Sequence, residues 1–513
     1  MSLGSVLSVA RTALSAHQVA IQTTGHNIAN AQTEGYSRQR VELAPNYPQH
    51  WAYGSVGTGV VVANVARARD ALLDVGVRQE LGGEAAASAR KELLSAVEGV
   101  LGEPSNTGLA NAMDAFWSSW SDLATTPTSR AARAVVLQRG SAAADTLNAF
   151  DARLDELRTQ TTLRLDNSLT ALNGLAARVA ELNGRIVSTE VGGGRTANDL
   201  RDQRDLAVDQ LAQYGDVQAL PRPDGSVQVI LGTHTLVDGI HAKRVSRVTD
   251  PLGQTALAMS DAPGRPLQPM GGSTQAMADF LNRDLRSTQD QLDALANALA
   301  RTVNAVHGQG RDATDQAPPP FFVSKATGTF DAAASPFRVP LATGAVTART
   351  IGVNAALRAE PARVATSSSA ARPTDNDVAL ALAGLRAEAT ATAGGASTAT
   401  VFGLPDRRVM PVVVTGPGGY TEPVALPPTS PTTFADFYRA TVSGLGVQVQ
   451  DAEGAAEVRA TLAAQARGRR DAVSGVNVDE ELTSLMRAQQ AYAAAAKVVQ
   501  AADEMMQTLV GMI

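Results

Sequence analysis

Residues 478–513 read VDEELTSLMRAQQAYAAAAKVVQAADEMMQTLVGMI. Val478, Leu482, Leu485, Gln489, Tyr492, Ala496, Val499, Asp503, Met506, Val510 and Ile513 follow at alternating steps of four and three, the heptad spacing that lays one stripe along one helix face. The other end of the chain does the same, with Leu3, Leu7, Ala10, Leu14, His17, Ile21, Thr24 and Ile28. Each larger apolar side chain left in water forfeits about 1.5–3 kcal/mol, so such stripes call for a partner helix. The spacing therefore predicts two terminal coiled-coil helices. Their seam is expected from Leu3, Leu7, Leu14, Ile21 and Ile28 on one side and Leu482, Leu485, Tyr492, Val499, Met506 and Val510 on the other. Val6, Val9, Val498, Met505 and Leu509 flank the stripes and offer apolar surface to neighbouring subunits. An ordinary intramolecular bundle is the competing reading.

Local chemistry marks where these helices stop and start. The first is expected to end near Asn30, because QTEGYSRQ carries Gly35 and few helix formers, and Tyr36 onward reads as extended chain with Pro45 and Pro48. Gly35 permits a positive φ, and the Tyr36 ring can anchor the redirected chain. The last helix is expected to begin after Asn477 as N-cap, with Glu480 as capping-box partner, and Asp479, Glu480 and Glu481 lie where the helix dipole favours negative charge. If the two ends meet, Arg38 can pair with Asp479 or Glu480, as a positioning contact of under about 1 kcal/mol if exposed.

Between the ends, 64–120 and 128–212 show helical periodicity, clearest at Leu165, Leu169, Leu172, Leu175, Val179, Leu182 and Ile186. Residues 217–248 alternate apolar and polar around Asp224-Gly225 and Asp238-Gly239, which predicts a β-meander. Helix returns over 273–306 and 375–389, with short strands expected at 337–339, 350–353 and 409–414. A helix over about 433–470 is expected to break near Gly444-Leu445-Gly446. The fold class is mainly α with a smaller β-rich part: a terminal coiled-coil domain (1–40 and 475–513), a long-helix bundle (41–216, 272–309 and 432–474), and an outer β region inserted mid-chain (217–271 and 310–431).

The chain has 513 residues, enough for several domains, and 44% hydrophobic content suits buried cores. A net charge of −6, without a basic stripe, argues against nucleic acid as a partner. No apolar run approaches the length of a membrane span, no Sec-type signal is expected, and the absence of cysteine excludes disulfides, thiol catalysis and Cys-ligated zinc.

No reaction centre stands out, and no metal or cofactor is expected. The six histidines form no compact ligand spacing; His234 and His241 flank a turn, and His17 lies on the N-terminal seam. Asp479-Glu480-Glu481 is a poor carboxylate pair, since consecutive helical residues point in different directions. Gly192-Gly193-Gly194 lacks the Lys and Ser or Thr of a phosphate loop and reads as a turn.

Asn27–Gln39, NIANAQTEGYSRQ, resembles the N-terminal signature of the flagellar axial proteins, the rod, hook and hook-associated proteins, in which an Asn-x-x-Asn helix end leads into Thr-x-Gly-Tyr or Thr-x-Gly-Phe. Gly475–Leu509 resembles their C-terminal helix. Ser37-Arg38-Gln39 and SGVNVDEE (474–481), with Gly475, Asn477, Asp479 and Glu480, narrow the resemblance to hook-associated proteins of the hook–filament junction. NDLRDQRDLAVDQLAQYGDV (198–217), FADFYRATVSGLG (434–446) and RRDAVSG (469–475) agree.

The resemblance implies a structural, non-enzymatic subunit in a homo-oligomeric ring, contacting flagellar hook protein below and hook-associated protein 3 above. It further implies export through the flagellar type III channel to an extracellular site, and a cytoplasmic export chaperone that masks the C-terminal helix. On physical grounds the terminal helices are expected to be poorly ordered in the free monomer and to fold when they pack on assembly, because fixing backbone costs about 1–2 kcal/mol per residue and a lone exposed pair does not recover it. A hook or distal-rod subunit is the nearest alternative, and a peptidoglycan-cleaving enzyme or a virulence translocator more distant ones.

Overall fold

A computed structural model of the chain describes residues 3–51, 54–102, 108–191, 196–267, 270–330, 345–369, 375–387 and 433–511. Helix α1 (Leu3–Ala29) leads into β1 (Gln39–Pro45), β2 (Gln49–Trp51), β3 (Gly54–Val56) and β4 (Val60–Arg67), in which β1 pairs with β4 and β2 with β3, all antiparallel. This ribbon folds back along α1, where the Val60 N–H donates to Thr12 Oγ1. Residues 64–67, expected to be helical, are strand: Asn64, Val65, Ala66 and Arg67 complete the ladder to β1.

Helices α2 (Ala71–Leu101), α3 (Leu109–Thr125), α4 (Arg130–Glu190) and α5 (Asn198–Ala212) follow. Asp70 caps α2 by accepting from the Leu72 and Leu73 N–H groups, and Ser129 caps α4 by accepting from Ala132. At 61 residues α4 is about 90 Å long and forms the spine of the molecule. Its buried face carries Leu165, Leu169, Leu172, Ala176, Val179, Leu182 and Ile186. Ala176 replaces the expected Leu175, which is half-buried.

The expected meander is present as β5 (Val217–Pro221), β6 (Val227–Leu231), β7 (His234–Asp238) and β8 (His241–Ala242), a four-stranded antiparallel sheet, followed by the ladder β9 (Val245–Thr249) and β10 (Thr255–Met259). Two asparagines of α4 fasten these strands. Asn183 donates to the Val227 carbonyl and accepts from the Val227 N–H, and Asn173 does the same with Val245. Each side-chain amide thus pairs with the strand backbone as a neighbouring strand would.

Helix α6 (Gly272–Asp279) passes through a π-turn at Phe280–Asp284 into α7 (Leu285–His307). Next come β11 (Phe322–Ser324) paired with β12 (Ile351–Val353), then α8 (Ala355–Ala359) and α9 (Asp377–Gly384). The described parts of 310–387 do not stand apart as outer β matter. Phe321 and Phe322 are buried against Phe116, Phe321 also against Trp120, and α9 packs on α3. Apolar bulk in this stretch draws it onto the bundle.

Helix α10 (Phe434–Ser474) runs beside α2, and α11 (Val478–Gly511) beside α1. The expected break at Gly444–Gly446 is absent; Leu445 and Val449 are buried and the helix continues through both glycines. The strands expected at 337–339 and 409–414 and the turn at Gly192–Gly194 lie outside the described residues.

Candidate assembly interface

The pairing of α1 with α11 rests on small side chains. On α11 the buried positions are Glu481, Ala488, Ala495 and Ala502, one per heptad, and on α1 they include Ala10, Ala16, Thr24 and Asn27. Alanine lets two helix axes approach closely, so the seam closes where the side chains are smallest. The expected stripe on α11 is therefore displaced by one heptad position. Leu485 and Val499 lie at its margin, half-buried, whereas Leu482, Tyr492 and Met506 are exposed. On α1 the expected Leu7, Leu14, Ile21 and Ile28 are half-buried beside the seam. The side chains of Leu3 and Val510 lie outside the described residues. Val9, Val478, Met486, Val498 and Met505 join the outward apolar surface.

Below the pair the chain makes a polar joint. Gly35 has φ 78°, and a Cβ there would meet Leu206 Cβ at 3.0 Å, so glycine is required both by conformation and by space. At Gly475 a Cβ would meet the Asp471 carbonyl oxygen at 2.4 Å. Asn30 closes α1 by donating to the His26 carbonyl and accepting from Thr33 Oγ1. Tyr36 Oη donates to Asn27 Oδ1 at 2.8 Å and lies 3.2 Å from His26 Nδ1. Burial first, then Asp199, Asp202 and Glu481, holds its phenol above the usual value.

Asn27 is the centre of this joint. It donates to the Gln39 carbonyl at 2.8 Å and to Glu481 Oε2 at 2.9 Å, and its Oδ1 accepts from the Gln39 N–H. Gln39 donates in turn to Asp199. Arg38 donates through Nε to Glu481 at 2.7 Å and through Nη1 to Glu480 at 3.1 Å, and its N–H bonds the Ser474 carbonyl. Asp479 takes no part in that pairing. Asn477 caps α11 through the Asp479 and Glu480 N–H groups as expected, while the Glu480 side chain turns to Arg38 rather than back to the cap.

A carboxylate row on α5 joins the terminal pair to the bundle. Asp202 accepts from the Ser37 N–H at 3.0 Å and from Arg67 at 2.7 Å, and Asp205 pairs with Arg67 at 2.8 Å and Arg69 at 3.2 Å. Asp209 holds Arg78 at 2.7 Å and also Arg470. Burial opposes ionisation of Asp205, but Arg67, Arg69, Arg204 and Arg78 hold its carboxyl below the ordinary range. Burial pulls the Arg204 guanidinium down to about 10. No role for these α5 carboxylates is expected from the 198–217 segment alone. Carboxylates at 199, 202, 205 and 209, on one helix face, were the available signal.

Among the described residues no group of His, Asp or Glu is arranged to hold a metal ion, and no helix is long and apolar enough to cross a membrane. The arrangement holds two helices together at a fixed joint and presents bulky apolar side chains outward.

Three family models match the chain. Residues 94–322 match the flagellar hook-associated protein FlgK helical domain, 7–36 the flagella basal body rod protein family, and 471–512 the C-terminal family of flagellar basal body rod FlgEFG proteins. Flagellar hook-associated protein 1 of Bacillus subtilis is 34% identical over 44% of this chain and 47% of its own length. The protein of that name from Salmonella typhimurium is 28% identical over 51% and 48%, and that from Escherichia coli 29% over 50% and 48%. The matches span about half the length of these relatives. The structure of the flagellar hook junction protein FlgK from Burkholderia pseudomallei superposes with a TM-score of 0.61 at 15% identity, covering 78% of this chain and 100% of that one, a likeness of fold. The similarity to flagellar axial proteins is thus carried by both ends of the chain, and residues 94–322 between them match the model of the hook-associated helical domain.

Proposed function

We propose that this chain is a structural subunit of the bacterial flagellum that assembles at the distal end of the hook and connects it to the filament. The observation that carries this reading is the terminal pair: α1 and α11 close on alanines and leave Leu482, Tyr492, Val498 and Met505 facing outward from a rigid polar joint. Side chains of that size gain by packing against further copies of the same pair. Copies of the chain form a ring through these helices, with hook protein on one side and hook-associated protein 3 on the other. Before assembly the outward face of α11 is the surface an export chaperone covers, and passage through the flagellar type III channel brings the subunit outside the cell. The role is architectural and requires no catalysis.

Immunogold labelling of intact flagella tests this placement. A single band where hook meets filament is expected; label along the hook or rod would favour a hook or distal-rod subunit, a reading that the rod-family matches at both ends support. Leu485→Asp and Val499→Asp, at the margin of the seam, are expected to abolish junction assembly while the inner bundle stays folded by circular dichroism. Normal filaments on such variants would remove the terminal pair from the mechanism.

A further inference from the structure

The chain has ten methionines and no cysteine, so thioethers are its entire sulfur chemistry. The methionines with described side chains divide cleanly. Met113, Met259, Met270 and Met277 are buried in the inner core, none more than 2% exposed, whereas Met486, Met505 and Met506 all lie on α11 and are 56%, 49% and 43% exposed. Access decides which thioether an oxidant reaches, so among the described methionines the reactive sulfur is concentrated on the helix that carries the outward apolar surface.

We propose that Met486, Met505 and Met506 are a reversible oxidation site at which hydrogen peroxide, or another two-electron oxidant of its class, switches off assembly of the free subunit. The inference rests on the assembly role argued above. In the reaction a sulfur lone pair attacks one peroxide oxygen, the O–O bond breaks and an S–O bond forms. The sulfur loses two electrons, the peroxide gains them, and the departing hydroxide takes a proton to leave as water. The product is a sulfoxide, a polar and chiral group where a flexible apolar one stood. Packing α11 against a neighbouring copy then buries a sulfoxide oxygen without a donor, which opposes association. The monomer barely responds, since these side chains fill no core. Once packed, the sulfurs are shielded, so the switch acts before assembly.

The full-length protein, treated with hydrogen peroxide, is compared with untreated protein in attachment to isolated hooks, with peptide mass spectrometry locating added oxygen. Oxygen is expected at Met486, Met505 and Met506 before Met113, Met259, Met270 or Met277. Attachment is expected to fall about tenfold or more with the circular dichroism unchanged, and methionine sulfoxide reductase to restore it. The triple variant Met486→Leu, Met505→Leu, Met506→Leu keeps the surface apolar and has no thioether there, so its attachment, whatever its untreated level, is expected not to fall on peroxide treatment. Undiminished attachment of the oxidised wild type, or equal peroxide sensitivity of the leucine variant, overturns the oxidation site and leaves the assembly role standing. If untreated protein does not attach at all, the assembly role fails and the switch with it.

Discussion

The inner bundle and the terminal pair are both built of long helices, but they bury opposite kinds of side chain. In the bundle Trp120, Phe116, Leu147, Leu154 and Leu172 are fully buried, and the large residues define the contact. Among the described side chains of α11 the buried ones are a glutamate and alanines, Leu485 and Val499 are half-buried, and the other large ones are exposed. A helix stabilised for the monomer alone would bury its leucines, tyrosine and methionines. The difference separates the part of the molecule that makes it fold from the part that, on the proposed function, makes it join. Removing one large side chain from each region ought therefore to have effects on different quantities. Leu147→Ala, in the bundle, is expected to lower stability by about 2–5 kcal/mol, read as a shift in the main denaturant transition. A loss below about 1 kcal/mol there would show that the bundle core is looser than its burial implies.

The joint between the two regions comes next in size. Asp205 is shared by Arg67 and Arg69, all three part-buried; removing one partner of a fully buried pair costs about 3–5 kcal/mol, an upper bound here because water and the remaining carboxylates compensate the arginines. Asp202 and Asp209 stand on the same helix face, so Asp205→Ala is expected to cost about 2–3 kcal/mol, and to do so locally. Limited proteolysis between residues 30 and 70 should accelerate while the bundle core stays protected. Uniform acceleration across the chain would mean that the joint and the bundle unfold as one unit.

How much of this was legible in the sequence depends on the distance between partners. The terminal helices, the Asn477 cap, the turn at Gly35 and the meander around Asp224-Gly225 depend on neighbours a few residues apart, and the spacing reveals them. Which residues the α1–α11 pair itself buries is not legible, because Leu482, Tyr492 and Met506 are the residues that ordinarily seek burial and nothing local says that Ala488, Ala495 and Ala502 close the gap instead. Arg38 and Glu481 lie 443 positions apart, and no periodicity tells which carboxylate a given arginine meets. The helix asparagines are another case. Asn183 and Asn173 stand in mid-helix, where nothing local marks them as the strand partners they are for Val227 and Val245. Asn304 and Asn282 do the same for Phe322 and Thr255.

Acidity acts on the bundle in its own direction. Burial pushes the Asp290 and Asp293 carboxyls, on α7, up to about 6. At Asp293 the Ala348 N–H works against that rise and Asp151 and Asp290 add to it; at Asp290 Arg286 and Arg158 oppose it. The folded value exceeds the unfolded value of about 3.9, so the fold favours the protonated acid. That stabilisation is fully present below about pH 4 and is lost as pH rises through about 6. Asp293→Asn, which keeps an oxygen for Ala348, is expected to raise stability by about 1–3 kcal/mol at pH 7 and to leave it unchanged near pH 4. Denaturant unfolding at the two pH values checks the sign; equal gains at both would mean that the carboxyl is ionised freely in the fold.

The smallest expected effect on the monomer is the most informative about the terminal pair. Leu482 is 44% exposed and stands on the outward side of α11, so Leu482→Ala removes little buried area and improves helix propensity slightly. Its effect on monomer unfolding is expected to stay within about 0.5 kcal/mol. If the outward surface packs against a neighbouring copy, the same truncation takes away contacts that exist only in the assembly, and attachment to hooks is expected to weaken about tenfold, the cost of one partly desolvated leucine. Measured side by side with Leu147→Ala, the two variants should exchange roles, one impairing folding with attachment recovered on refolding, the other impairing attachment with folding intact. Should Leu482→Ala attach as the parent does, Tyr492 and Val498 become the side chains to truncate, since they lie on the two opposite flanks of the alanine seam and sample the remaining ways a second copy can approach.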